Sequence, residues 1–188
     1  MDQRLAERLA ARLSESPALT AELRCADDLE ALLDGLLRIV EHELGGDMLT
    51  SILLLDETGT RLLHGAAPRL PDSYSREIHG VEIGPSVGSC GTAAYLGHPV
   101  YVVDIARDPL WTDYRDLAAA HGLAACWSTP IERPGGDILG AFAVYHRQSR
   151  GPSMDEVDAI GLVSRMASLA IERFRAGGAL VRDTATAR

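Results

Sequence analysis

Residues 84–131 read GPSVGSCGTAAYLGHPVYVVDIARDPLWTDYRDLAAAHGLAACWSTPI. Gly84, Pro85, Gly88 and Gly91 mark a turn, because Gly and Pro punctuate regular structure. The small-residue run from Gly91 to Leu96 predicts a short helix, and Val100–Val103 an apolar strand. An aromatic-bearing loop follows. Asp113–His121 predicts a second helix closed by Gly122, and Leu123–Ile131 a buried strand.

Downstream, Pro134-Gly135-Gly136-Asp137 is a turn, and Ile138–Tyr145 is the antiparallel partner of the preceding strand. Ser153 with Glu156 three residues on forms a capping-box pattern for a last helix running to about Ala176. Its apolar side is Ile160, Val163, Ala167, Ala170, Ile171 and Phe174. Gly177-Gly178 is expected to interrupt it, leaving a frayed tail.

Upstream, Met48–Leu55 and Arg61–Ala66 read as a hairpin around Asp56-Glu57-Thr58-Gly59. Ser73–Ile78 reads as a short helix and Val81–Ile83 as a short strand. A long helix is expected over Ala26–Leu44, capped by Asp27 or Asp28, with a broad apolar face that includes Leu33, Leu37 and Val40, and stopped at Gly45-Gly46. Residues 2–15 carry Leu5, Leu9 and Leu13 at four-residue spacing. That narrow stripe would be exposed on a monomer, which favours a dimer over packing back on the same domain. Ser16-Pro17 ends this first helix.

The order predicts an α+β fold, with a mainly antiparallel sheet of about six strands and helices packed on it. The expected organisation is an N-terminal helix and linker over 1–25, one domain over 26–176, and a flexible tail over 177–188.

Charge and composition narrow the function. The net charge of −9 opposes unaided binding to nucleic acid or to an anionic membrane. Hydrophobic residues make up 46% of the chain, enough for a core, yet no apolar run reaches the roughly 20 residues that span a bilayer. The charged N-terminus lacks a signal-peptide core, so the expected location is the cytoplasm. Cys25, Cys90 and Cys126 suggest neither a disulfide framework nor a CxxC pair. The six histidines are dispersed without ligand spacing, so no metal site is expected. GxSxG, P-loop and GxGxxG patterns are absent, and no catalytic constellation is legible.

Gly84-Pro85, Ser89-Cys90-Gly91-Thr92-Ala93-Ala94, Asp104-Ile105, Asp108-Pro109-Leu110-Trp111 and Cys126-Trp127-Ser128-Thr129-Pro130-Ile131 resemble the ligand-pocket half of a GAF domain, a small-molecule-sensing module of bacterial signalling proteins. The resemblance spans about Asp27 to Phe174. It implies a pocket between the sheet and a lid over residues 104–123, with Ser89, Cys90, Gly91, Thr92, Asp104, Trp111, Tyr114, Trp127 and Thr129 as candidate ligand-binding residues. Tyr114 and the two tryptophans stand out in a chain with only nine aromatic residues. They could stack on a ring-shaped ligand, or Trp111 could anchor the lid to the core. On a strand, Trp127 and Thr129 share one face and Ser128 the other, so only one set can line the pocket. The glycine-rich turn could hold a polar part of a ligand or only allow close packing.

Known GAF chemistries match less well. In free-methionine-(R)-sulfoxide reductases a similar VCGTAA-like segment carries a cysteine that Cys90 matches, but the register of Cys126 differs from that of the nucleophile. Bilin-binding relatives have Cys followed by His, whereas Trp follows Cys126 and Gly follows Cys90. Cyclic-nucleotide binders carry an Asn-Lys…Phe…Asp-Glu signature, of which only Asp155-Glu156 is present. The resemblance therefore implies a non-enzymatic sensor that relays ligand occupancy through dimer helices to a partner. That partner would be a histidine kinase of a two-component system, a cyclic-dinucleotide enzyme or a transcription regulator. The ligand and any cofactor stay unnamed; the alternatives are the reductase and a ligand-free dimerisation module.

Overall fold

Six strands form one antiparallel sheet in the order β3-β2-β1-β6-β5-β4. They are β1 (Leu49–Leu55), β2 (Arg61–Ala66), β3 (Val81–Glu82), β4 (Val100–Val102), β5 (Ala125–Glu132) and β6 (Ile138–His146). The helices are α1 (Leu5–Glu15), α2 (Leu29–Leu44), α3 (Asp72–Ile78), α4 (Gly88–Leu96), α5 (Arg115–Ala120) and α6 (Met154–Thr186). This computed structural model describes residues 4–15, 28–45 and 47–186, with side chains described as far as residue 176. The expected break at Ser16-Pro17, the alternative cap Asp27, Cys25 and Gly46 lie outside the described residues.

The fold is α+β, as the hydrophobic periods imply. Alternation along each strand sends side chains to two different layers. On β6, Phe142 and Val144 face one core, while Ala141, Ala143 and Tyr145 face the other. The first core is covered by α1, α2 and α6. The second lies under α3, α4 and the loop carrying Trp111.

Local signals place the helices. Asp28 caps α2, accepting from the Glu30 and Ala31 amides at 2.9 and 3.4 Å. Ser153 and Glu156 satisfy each other's backbone N–H reciprocally at 3.3 and 2.8 Å, as the capping box requires.

Two expectations are corrected. The first concerns the leucine stripe: Leu5, Leu9 and Leu13 are buried within the chain, Leu9 completely. They pack on α2 and α6. Polar contacts fix the helix at both ends, from the Leu5 amide to Asp155 Oδ2 at 3.0 Å and from Arg12 to Glu43 at 3.0 Å. An amphipathic stripe needs an apolar cover, and the groove between α2 and α6 supplies it without a second chain. The second correction is at Gly177-Gly178, where the backbone of α6 stays helical to Thr186. Glycine inside a helix costs only about 1 kcal/mol relative to alanine, a penalty that does not by itself end a helix. Among the described residues no helix is long and apolar enough to cross a membrane.

Where β6 meets α6, His146 lies against Trp127 with ring centroids 4.1 Å apart. Its Nε2 is buried without a partner. Arg150 lies over the same indole, 5.0 Å from the centroid, and bonds Glu156. Burial, and secondarily the Arg150 charge, lower the His146 pKa to about 4, against an opposing pull from Glu156.

Two predictions follow from this packing. Leu9→Ala should cost roughly 3 kcal/mol in urea unfolding, whereas a loss under 1 kcal/mol would mean that α1 contributes little to the core. For His146 the folded pKa lies below the unfolded value, so its contribution is complete above pH ~6.5 and lost as pH falls toward 4. Between pH 7.5 and 4.5 wild type should therefore lose on the order of 2 kcal/mol more than His146→Gln. Parallel pH profiles would refute this.

Candidate functional site

α4 begins where Gly88, Ser89, Cys90, Gly91, Thr92, Ala93 and Ala94 are all buried against the sheet. Small residues are required there. Gly88 has φ +54° and lies beneath the Trp111 indole, and a Cβ on Gly91 would come within 2.7 Å of the Val87 side chain. Opposite them, Ala141 and Ala143 on β6 leave room for the helix.

The lid runs from Asp104 to Leu123. It contains a 3₁₀ turn at Pro109–Trp111, so the helix expected over Asp113–His121 is shortened to α5. Asp108 caps that turn through the Leu110 amide at 2.9 Å, and Arg115 holds the Asp108 carbonyl at 2.9 Å. This local chain of polar bonds directs Trp111 inward, where it is 3% exposed. Its Nε1–H donates to Ser89 Oγ at 3.1 Å, and Ser89 in turn donates to the Cys126 carbonyl at 3.0 Å. Tyr114 meets the Trp111 ring edge-on, with centroids 6.5 Å apart.

Beneath this latch a cavity of about 30 Å3 remains. Its lining is mainly apolar, from Leu53, Ile78 and Val81, with Tyr74, Cys90 and Tyr145 supplying polar atoms. Tyr145 Oη lies 3.4 Å from Ser51 Oγ and 3.7 Å from Cys90 Sγ. The Tyr74 and Tyr145 rings meet edge-on at 5.7 Å. Burial pushes both phenols well above their ordinary pKa, so each stays neutral and offers a hydroxyl.

Of the candidates named from sequence, Ser89, Cys90, Gly91, Trp111 and Tyr114 meet at this cavity. Thr92 turns back to accept the Val87 amide at 3.0 Å and shapes the turn. Asp104 accepts the Ala106 amide at 3.2 Å at the start of the lid. Trp127 lies on the opposite face, in the core beneath the terminal helices, where its Nε1–H bonds the Arg150 carbonyl. Thr129 opens into a groove beside α6 with Ser164 and Ser168. The strand rule that pairs 127 with 129 thus holds, and the other parity, Cys126 and Ser128, faces the cavity layer. Tyr74, Tyr145 and Ser51 were missed. The alternation of β6 marks Tyr145 as inward-facing, but nothing local says which layer it enters. Among the described residues, no group of three or more His, Cys, Asp or Glu side chains is arranged to hold a metal ion.

Ser89→Ala should remove the acceptor of the Trp111 indole and cost about 1–2 kcal/mol. In a Trp127→Phe background, which leaves one tryptophan, its emission should shift to the red and acrylamide quenching should rise. Unchanged emission would show that apolar packing alone holds the lid.

A sequence model of the family described as GAF domain matches residues 26–172. A relative, the methyl sulfide methyltransferase-associated sensor of Methanosarcina acetivorans, is 38% identical over 139 residues, covering 74% of this chain and 14% of that protein. The chain therefore spans a small part of that relative's length. The GAF domain of a phosphoenolpyruvate-protein phosphotransferase from Coxiella burnetii superposes with a TM-score of 0.70 at 19% identity, over 93% of this chain and 98% of that one. Free methionine-R-sulfoxide reductase from Neisseria meningitidis, solved with its substrate, superposes with a TM-score of 0.69 at 16% identity, over 94% and 96%. At such identities the structural likeness concerns the fold. With a family match over most of its length and the sheet, lid and cavity arranged as described, the chain belongs to the GAF domain family.

Proposed function

We propose that this chain is a cytoplasmic sensory GAF domain that takes up a small molecule by displacing Trp111 from the cavity between sheet and lid. The observation that carries the reading is the latch itself. A buried indole, hydrogen-bonded to Ser89, occupies the space between sheet and lid and leaves only about 30 Å3 behind it. Pockets for drug-sized ligands run to roughly 300–1,000 Å3. Entry of such a ligand must therefore move Trp111 and with it the lid, which couples occupancy to conformation. A ligand that binds the displaced arrangement better shifts the population toward it. Ser89, Cys90, Gly91, Trp111 and Tyr114 would line the opened site, and its mainly apolar walls suit a compact, largely apolar or planar molecule.

The relay would run through the sheet to its far face. Cys126 contacts the latch, while its neighbour Trp127 packs under the terminal helices and touches the loop that starts α6. With 33 residues α6 is about 50 Å long. Leu169 on it is 57% exposed, which favours a homodimer through the outer face of α6 rather than through the covered stripe of α1. The relative named a sensor supports a regulatory rather than an enzymatic role. Its much greater length favours a signalling partner of the classes named above, a histidine kinase among them.

Native mass spectrometry of the purified protein tests this. A dimer carrying one defined additional mass, released with a change in Trp111 emission, is the expected result. A dimer with no added mass, and with Trp111 emission indifferent to a library of small apolar and planar compounds, would instead support a ligand-free dimerisation module.

A further inference from the structure

Cys126 lies opposite Tyr145 across the β5–β6 ladder. The first turn of α4 brings Cys90 onto the same spot, its Sγ 3.7 Å from Tyr145 Oη, while Ser89 is bonded to the Cys126 carbonyl at 3.0 Å. The two side chains thus converge on Tyr145 from the helix and from the strand. Both are buried free thiols in one cluster.

Their surroundings are unequal. The Cys126 thiol, with the Tyr145 hydroxyl 3.7 Å from the sulfur, lowers the Cys90 pKa against the opposing pull of burial. Burial pushes the Cys126 thiol well up. Cys90 also lines the cavity, whereas Cys126 lies behind it in the strand. A space of about 30 Å3 holds one or two waters and admits a solute of that size, but no bulky reagent.

We propose that Cys90 and Cys126 form a peroxide-reactive dithiol, in which hydrogen peroxide entering the cavity oxidises Cys90 and Cys126 then closes a reversible disulfide. In the first step the Cys90 thiolate attacks one peroxide oxygen. An S–O bond forms, the O–O bond breaks, and the departing hydroxide takes the thiol proton and leaves as water. In the second step the Cys126 sulfur attacks the Cys90 sulfenic acid. The S–S bond forms, the S–O bond breaks, and a second water leaves. Two thiols and one peroxide become one disulfide and two waters; the sulfurs lose two electrons and the peroxide gains them. Tyr145 acts as a positioning residue, holding the attacking sulfur through its hydroxyl. The product would tie α4 to β5 directly beneath Trp111, an oxidised form of the latch. This proposal rests on the thiol pair and the cavity, and stands apart from the identity of any lid ligand.

The test uses the full chain with Cys25→Ser, so that two thiols remain. After hydrogen peroxide treatment the folded protein should be about 2 Da lighter. Peptide mapping should find Cys90 joined to Cys126 within one chain, and dithiothreitol should restore both thiols. Cumene hydroperoxide should react at least about tenfold more slowly, because the cavity excludes it. Cys126→Ser should stop at a dimedone-reactive species about 16 Da heavier. Tyr145→Phe should slow oxidation about tenfold and shift its pH profile upward, which a purely structural role would not do. The idea is overturned if the peroxide-treated folded protein keeps both thiols while the urea-unfolded protein loses them, or if the only product joins two chains. The peptide map needs no core substitution, so it decides the matter even where Cys126→Ser unfolds.

Discussion

An antiparallel sheet that is apolar on both faces must be covered twice, and the rest of this structure answers to that requirement. Fully burying a leucine contributes roughly 1.5–3 kcal/mol, so a bare face would cost several times that amount. One face takes its cover from α1, α2 and α6, with Leu9, Leu33 and Leu37 excluded from solvent. The other takes it from short helices and a lid, where small side chains on β6 allow close approach. Because the covers differ, the faces differ in use. Long helices meeting over large side chains make a stable layer. Short helices and a loop held by a few polar bonds make the layer that opens in the proposed reading.

The lid is held by the Trp111–Ser89–Cys126 series, which runs from an indole through a hydroxyl to a strand carbonyl. Each bond contributes about 1 kcal/mol net, yet breaking one without replacement leaves a buried polar group unsatisfied. Any ligand that entered here, as proposed, would have to offset that penalty and replace the packing of the indole. In the proposed reading, occupancy and lid position would be linked by this requirement rather than by a special hinge. The same series ends on the strand that carries Trp127 on its reverse side, so the two layers share β5.

Much of the architecture was legible in the sequence. The hairpin around Asp56–Gly59, the turn at Pro134–Asp137, the Asp28 cap and the Ser153–Glu156 box are local signals with local causes, and each element formed close to where its signal lies. The motif around Ser89–Ala94 and Trp111 carried the family resemblance, and the residues near it converge on one cavity. The misreadings share a different cause. The α1 stripe was legible as amphipathic, but whether a stripe is covered by its own domain or by another chain depends on the distance between α2 and α6. The double glycine in α6 was legible as a weak point, but the balance of propensity over a whole helix decides whether it breaks.

Composition, period and caps determined by themselves which segments are helix or strand, that the sheet is antiparallel, and that residues 127 and 129 share a face, because these are properties of a few consecutive residues. Tertiary structure alone decided which layer that face enters. It turned Trp127 toward the helices and brought Tyr74 and Tyr145 to the cavity. It also brought Cys90 and Cys126 into one buried cluster, two thiols with no shared signal in the chain. Such meetings depend on strand order and on the crossing of α4 over the sheet, which are set by the mutual burial of distant surfaces and leave no periodic trace in any one segment.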